Sequence, residues 1–234
     1  MPRLAIVGMG KMGRTVDQLA QERGWQVVAR IDASGEFAHE ITAASLAGAD
    51  VAIEFTAPAA AVANIRALVD AGCPVVCGTT GWDAERQRVE SFVRDRNGAL
   101  LAAPNFSLGV AAFRQIVAAA GRAMRQAAGF EAHMVETHHS AKKDAPSGTA
   151  VALAAELRAT LGRDVPVTSV RVGAVPGTHE IIFDAPFEQV RLEHVARDRR
   201  VFADGALRAA EWLIGRHGIF TLQDMLAPST ESTT

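Results

Sequence analysis

The chain has 234 residues, enough for one large core or two modest ones. Hydrophobic residues make up 49%, charged residues 21%, and the formal net charge is −2. That balance excludes a disordered chain, and it lacks the basic excess of a nucleic-acid binder. No stretch approaches the roughly 18 apolar residues of a membrane span, and the short N-terminal apolar run passes straight into glycines, unlike a signal peptide. A cytoplasmic protein without membrane or nucleic-acid partners is expected.

In chain order, Arg3 to Val7 predicts a strand, and Lys11 to Arg23 predicts a helix closed by Gly24. Further strands are predicted at Gln26 to Ile31, Asp50 to Phe55, Pro74 to Cys77 and Ala99 to Ala103, with helices at Ala59 to Ala71 and Ala84 to Arg96 between them. Strands alternating with helices imply βαβ units and a parallel sheet covered on both faces. Cys73 and Cys77 are too far apart along an extended segment to form a disulfide, so they read as buried free thiols.

After Asn105 the pattern changes. Val110 to Ala128 predicts a long helix, Phe130 to Thr137 a strand and Ser147 to Leu161 a second helix. Three strand-like runs then follow one another, at Val167 to Val172, His179 to Phe183 and Gln189 to Val195, which implies a mixed or antiparallel sheet. Gly205 to Arg216 again reads as a helix, returning to the first domain, and the tail from Pro228 to Thr234 is polar. The expected plan is α/β: a doubly wound parallel sheet over residues 1–106, a second α+β domain of mixed sheet over 107–203, and a returning segment over 204–234.

Gly8-Met9-Gly10-Lys11-Met12-Gly13 fits G-x-G-x-x-G between a strand and a helix. Such glycines permit a tight turn, close approach of a pyrophosphate and close helix packing, while the helix start offers oriented N–H groups. Asp32 lies about twenty residues further on, at the end of the second strand, where an acid accepts hydrogen bonds from a ribose. Together these features specify a Rossmann-type dinucleotide site. The acid disfavours the extra phosphate of NADP, which leans the expectation toward NAD, although Lys11, Arg14 and Arg30 could offset the repulsion. Gly78-Thr79-Thr80-Gly81, Ala103-Pro104-Asn105-Phe106 and Phe55-Thr56 follow strand ends, where ligands of open α/β sheets sit.

The densest chemistry lies in ETHHSAKKDAPSGT, from Glu136 to Thr149. His138 and His139 end a strand-like run and Lys142 and Lys143 follow. Ser147 or Asp144 could then cap a helix whose start near Gly148 and Thr149 suits a carboxylate. A histidine there can move a proton and a lysine can stabilise negative charge. A metal centre on His133, His138 and His139 is disfavoured, because adjacent strand residues point to opposite faces, and no metal is expected.

These residues carry a resemblance. ETHHSAKKDAPSGTA matches the E-x-H-H-x-x-K-x-D-A-P-S-G-T-A signature of the dihydrodipicolinate reductase family. The glycine loop, Gly78-Thr79-Thr80, Asn105-Phe106-Ser107, Arg171-Val172-Gly173, Gly177-Thr178-His179-Glu180, His194-Val195-Ala196 and Phe202-Ala203-Asp204-Gly205-Ala206 extend the similarity to nearly the whole chain. The resemblance implies that His138 is the general acid/base, that Lys142 is the catalytic cation or proton donor, and that His139, Gly148 and Thr149 bind substrate carboxylates. It gives Lys143 no role. It places NAD(P) against Gly8, Met9, Gly10, Lys11, Met12 and Gly13, against Asp32, Gly78, Thr79 and Thr80, and against Ala103, Pro104, Asn105 and Phe106. The reaction implied is reduction of 4-hydroxy-tetrahydrodipicolinate to tetrahydrodipicolinate in lysine and diaminopimelate biosynthesis, by a homotetramer.

Three features depart from the common family pattern: the glycine turn is one residue shorter, Asp32 replaces a frequent glutamate without a following arginine, and a stretch before Arg171 is shorter. An amino-dicarboxylate dehydrogenase of similar plan and a non-catalytic dinucleotide sensor are the alternative readings.

Overall fold

The structure, a computed structural model, describes residues 1–37 and 39–227, so the polar tail from Pro228 lies outside the described residues. The chain forms two compact units, one of Met1–Phe106 with the described part of Phe202–Thr234, the other of Ser107–Val201.

In the first unit β1 (Arg3–Val7), β2 (Gln26–Ile31), β3 (Val51–Glu54), β4 (Val75–Cys77) and β5 (Ala99–Ala102) alternate with α1 (Lys11–Glu22), α2 (Pro58–Asp70) and α3 (Arg86–Asp95). The strands pair in parallel with β10 (Gly218–Phe220) in the order β10-β5-β4-β3-β1-β2. This is a Rossmann-type sheet, and its strands read as continuous apolar runs because both faces are covered. Leu4, Ala5, Ile6, Val51, Ala52, Ile53, Val75 and Val76 are fully buried. Each large aliphatic side chain among them contributes about 1.5–3 kcal/mol. Helix α1 turns Gly13, Val16 and Ala20 inward, a spacing that keeps one stripe on the sheet.

Cys73 and Cys77 are buried free thiols. α6 (Arg200–Leu213) joins this unit: Gly205 packs on the Phe106 carbonyl, where a Cβ would not fit, and Asp204 pairs with Arg23. It starts earlier than the expected Gly205, because the run of charges from Arg197 to Arg200 masks its amphipathic onset in the sequence. β10 and the short α7 (Leu222–Leu226), opened by a Thr221–Asp224 capping box, were not foreseen.

In the second unit α4 (Leu108–Gln126) and α5 (Gly148–Leu161) cover a four-stranded sheet of β6 (Glu131–His138), β7 (Val167–Arg171), β8 (Thr178–Ala185) and β9 (Glu188–Val195), ordered β7-β6-β8-β9. β6 and β7 run parallel, while β6–β8 and β8–β9 are antiparallel, so the sheet is mixed. Its core joins Phe113 and Val117 of α4, Leu153 and Leu157 of α5, Met134 of β6, and Ile181 and Phe183 of β8. Among the described residues no helix is long and apolar enough to cross a membrane.

Candidate functional site

The three loop glycines of the first unit divide their tasks. Gly8, at φ +93°, sits where a Cβ would strike the Phe55 carbonyl, and a Cβ on Gly13 would strike the Gly8 carbonyl. Both are glycine because the protein's own backbone comes too close. At Gly10 nothing lies within 4 Å of the Cβ position, and α1 starts there without a side-chain cap. The site therefore leaves room and oriented donors for an anionic ligand.

Asp32 accepts hydrogen bonds from the Met9 and Ala33 amides, both at 2.7 Å, which leaves further lone pairs for a ribose. A crevice of about 620 Å³ runs past Gly8, Gly10, Asp32, Thr56 and Asn64. These residues fit a dinucleotide. Thr79, Thr80, Ala103 and Pro104 line a smaller hollow of about 160 Å³. Gly78, Met9 and Phe106 also pack within the unit: a Cβ on Gly78 would enter the Phe55 ring, Met9 is buried, and Phe106 lies edge-on to Phe55 at 6.0 Å. Asn105 starts the connection into the Ser107 cap of α4.

Behind the crevice, Glu54 is fully buried. Its carboxylate accepts hydrogen bonds from Thr56 and Asn64 and contacts the Cys77 thiol at 3.1 Å. The Thr56 amide donates to Thr79 Oγ1 at 2.7 Å, so the turns after β3 and β4 are held together.

The second unit holds the histidines. Strand register sets Ser169, Glu136, His179 and His194 abreast across all four strands. Side chains alternate between faces, so Glu136 and His138 share the core face with Met134, and His179 shares it with Ile181. His133 falls on the other face. His138, the last residue of β6, is buried, with Nδ1 against a Glu136 carboxylate oxygen. The other Glu136 oxygen accepts from Arg171 Nη2 at 2.7 Å. The His179 ring stands edge-on to His138 at 5.3 Å, and its Nε2 lies 3.3 Å from Ser147 Oγ. That hydroxyl caps α5 by accepting from the Ala150 amide, so Ser147 rather than Asp144 is the cap.

Lys142 Nζ donates to both Asp144 oxygens, at 2.8 and 2.9 Å, and this holds the Asp144 carboxyl below its usual range. Arg171 reaches the Asp144 carbonyl at 2.6 Å, tying the lysine loop to Glu136. His139 is half-buried just past the strand, Gly148 opens α5 with free space at its Cβ position, and Thr149 follows; Lys143 is exposed.

Burial raises the proton affinity of Glu136, but hydrogen bonds from Arg171 and Ser169 and the nearby His138 outweigh it, and the carboxyl falls to about 2. Burial lowers His138 below the ordinary histidine value, against an upward pull from Glu136. Burial, then His138 and His194, push His179 down to about 4. Donor atoms of Glu136, His138 and His179 lie within 4.8 Å of one another. Arg171 already pairs with the carboxylate, which weakens it as a metal ligand. Sequence reasoning passed over Glu136, Arg171 and His179 as site residues. One signal was present: a glutamate two positions before a histidine on a strand shares its face.

Two family models match, "Dihydrodipicolinate reductase, N-terminus" over residues 2–106 and "Dihydrodipicolinate reductase, C-terminus" over residues 109–226. The 4-hydroxy-tetrahydrodipicolinate reductase of Christiangramia forsetii is 32% identical, covering 96% of this chain and 97% of its own. That of Methanoregula boonei is 34% identical, covering 97% and 98%. Among solved structures, a dipicolinate-bound dihydrodipicolinate reductase from Paenisporosarcina sp. TG-14 shares the fold with a TM-score of 0.80 at 21% identity, covering 94% of this chain and 97% of that one. With models matched along both units and relatives aligned over nearly their full length, the chain belongs to the dihydrodipicolinate reductase family.

Proposed function

We propose that this protein reduces 4-hydroxy-tetrahydrodipicolinate to tetrahydrodipicolinate, with loss of water, in lysine and diaminopimelate biosynthesis. The observation that carries the reading is the buried His138 set beside Lys142 and the Ser147-capped start of α5, in a chain whose other unit has a glycine-loop crevice. Bound NAD(P)H supplies the hydride. The Gly8 to Gly13 turn, Asp32, and the loops at Gly78 to Thr80 and Ala103 to Phe106 would hold that cofactor.

His138 delivers the proton that accompanies reduction. Lys142 places a cation against the substrate, its carboxylate taking the place that Asp144 now holds on Nζ. His139, Gly148 and Thr149 bind the substrate carboxylates, the last two through the start of α5. NADH is the preferred reductant: Asp32 faces the crevice, Arg30 is committed to Asp17 by two hydrogen bonds at 2.8 and 2.7 Å, and Arg14 Nε donates to the Met9 carbonyl at 3.0 Å. Two of the cations that could have welcomed a 2′-phosphate are thus engaged elsewhere. Homotetrameric assembly and a cytoplasmic location rest on the family resemblance.

The test is an initial-rate assay on freshly generated product of the preceding synthase. Wild type should oxidise NADH, while His138→Gln and Lys142→Ala should each lose ~10²–10⁴-fold in turnover with NADH affinity nearly unchanged. Full turnover by either variant removes that residue from the mechanism.

A further inference from the structure

We infer that Glu136, anchored by Arg171, is a positioning residue that commits the Nδ1 proton of His138 to its carboxylate and leaves Nε2 as the nitrogen that exchanges a proton with substrate. This rests on the reading of His138 as the proton donor.

Glu136 and His138 are two apart on β6, so their side chains rise from the same face with the spacing a carboxylate–imidazole contact needs. Glu136 is fully buried and both its oxygens are used, one by Arg171 and the other by His138 Nδ1. A buried carboxylate held anionic by a guanidinium can only accept hydrogen bonds, so the nitrogen facing it carries the proton. The parallel pairing of β6 with β7 puts Arg171 directly opposite His138, from where its guanidinium reaches back to Glu136.

The second nitrogen is kept open by a different device. Gly177, at φ +154°, lies where a Cβ would come 3.0 Å from His138 Nε2. A side chain there would crowd the one nitrogen that Glu136 does not occupy. A carboxylate that accepts the imidazole N–H on one oxygen while a guanidinium holds the other fixes tautomer and ring angle together, and losing it costs turnover without dismantling the site.

The charged and titratable groups facing His138 are Glu136 on its own strand, Lys142 from the following loop, Arg171 from β7 and His179 from β8. Of those acting on His138, Glu136 alone raises its proton affinity, while burial, Lys142 and Arg171 lower it. Removing the carboxylate charge therefore moves the alkaline limb of the activity profile to lower pH.

The experiment uses the full chain labelled with ¹⁵N-histidine, Glu136→Gln, and His138→Gln as the assignment control. Long-range ¹H–¹⁵N spectra of the wild type at pH 8 should show His138 as the Nδ1–H tautomer. In Glu136→Gln that tautomer should lose its exclusivity, turnover should fall ~10²–10³-fold, and the alkaline limb should shift down, with NADH affinity unchanged. A wild-type His138 protonated on Nε2 overturns the inference without any variant, so a misfolded Glu136→Gln cannot shelter it. An unchanged tautomer and pH profile in a folded Glu136→Gln overturns it too. If His138→Gln keeps full turnover, the mechanistic reading fails, and the spectra still decide what Glu136 does to the ring.

Discussion

Replacing Gly10 and Gly13 separately by alanine should split cofactor binding from stability. At Gly13 the new Cβ would stand 2.9 Å from the Gly8 carbonyl carbon and closer still to its oxygen, whereas ordinary contact begins near 3.4 Å. The obstacle is backbone of the same turn, which has no rotamer to retreat into. Overpacking of this kind costs about 1–3 kcal/mol, which for a chain of this size lowers the melting temperature by about 2–12 °C.

At Gly10 the Cβ meets nothing within 4 Å and the backbone is extended, at φ −70° and ψ −164°, a conformation alanine adopts freely. Alanine is a poorer helix cap than glycine by up to about 1 kcal/mol, but it restricts the unfolded chain by about 0.4–1 kcal/mol. The terms offset, so the melting temperature of Gly10→Ala should stay near wild type. Its methyl group, however, fills the space where a phosphate would approach the α1 amides, and NADH affinity should drop ~10-fold or more, since losing about 1.4 kcal/mol suffices. Differential scanning fluorimetry and titration of NADH fluorescence read the two effects. Wild-type affinity in Gly10→Ala, or a wild-type melting temperature in Gly13→Ala, would refute the assignment of the glycines.

Two further outcomes are expected. Asp32→Asn should raise the ratio of kcat/KM for NADPH over NADH by on the order of tenfold, through loss of like-charge repulsion; an unchanged ratio in steady-state assays would remove Asp32 from cofactor choice. His179, pushed down to about 4 in the fold from an ordinary 6.5, binds fewer protons folded than unfolded between those values. Stability from keeping it neutral is complete above pH 6.5 and declines as pH falls toward 4, by at most about 1.4 kcal/mol per pH unit. Denaturant titrations across that window should show a shallower slope in His179→Gln, and an identical slope would contradict the buried neutral ring.

The parallel sheet was legible because its information is local. Strand and helix periods alternate from Arg3 to Ala103, and a strand buried on both faces writes itself as an uninterrupted apolar run. The glycine loop and Asp32 stand out by spacing and the His138, His139, Lys142 and Lys143 cluster by density, whereas the choice of His138 and Lys142 within that cluster rests on the family resemblance. β10 does not stand out, since three residues from Gly218 to Phe220 have too few alternations to register as a strand and become one only by pairing with β5.

The division of labour among the glycines was equally hidden. Gly8 and Gly13 answer to neighbouring backbone and Gly78 to the Phe55 ring, while Gly10 answers to nothing in the protein. The sequence by itself determined the alternation of strands and helices and set the glycine loop and the histidine–lysine segment apart as candidate chemistry. Tertiary structure alone decided which other groups surround His138 and Glu136, because Arg171 and His179 come from neighbouring strands, and only register across a sheet brings them to one imidazole.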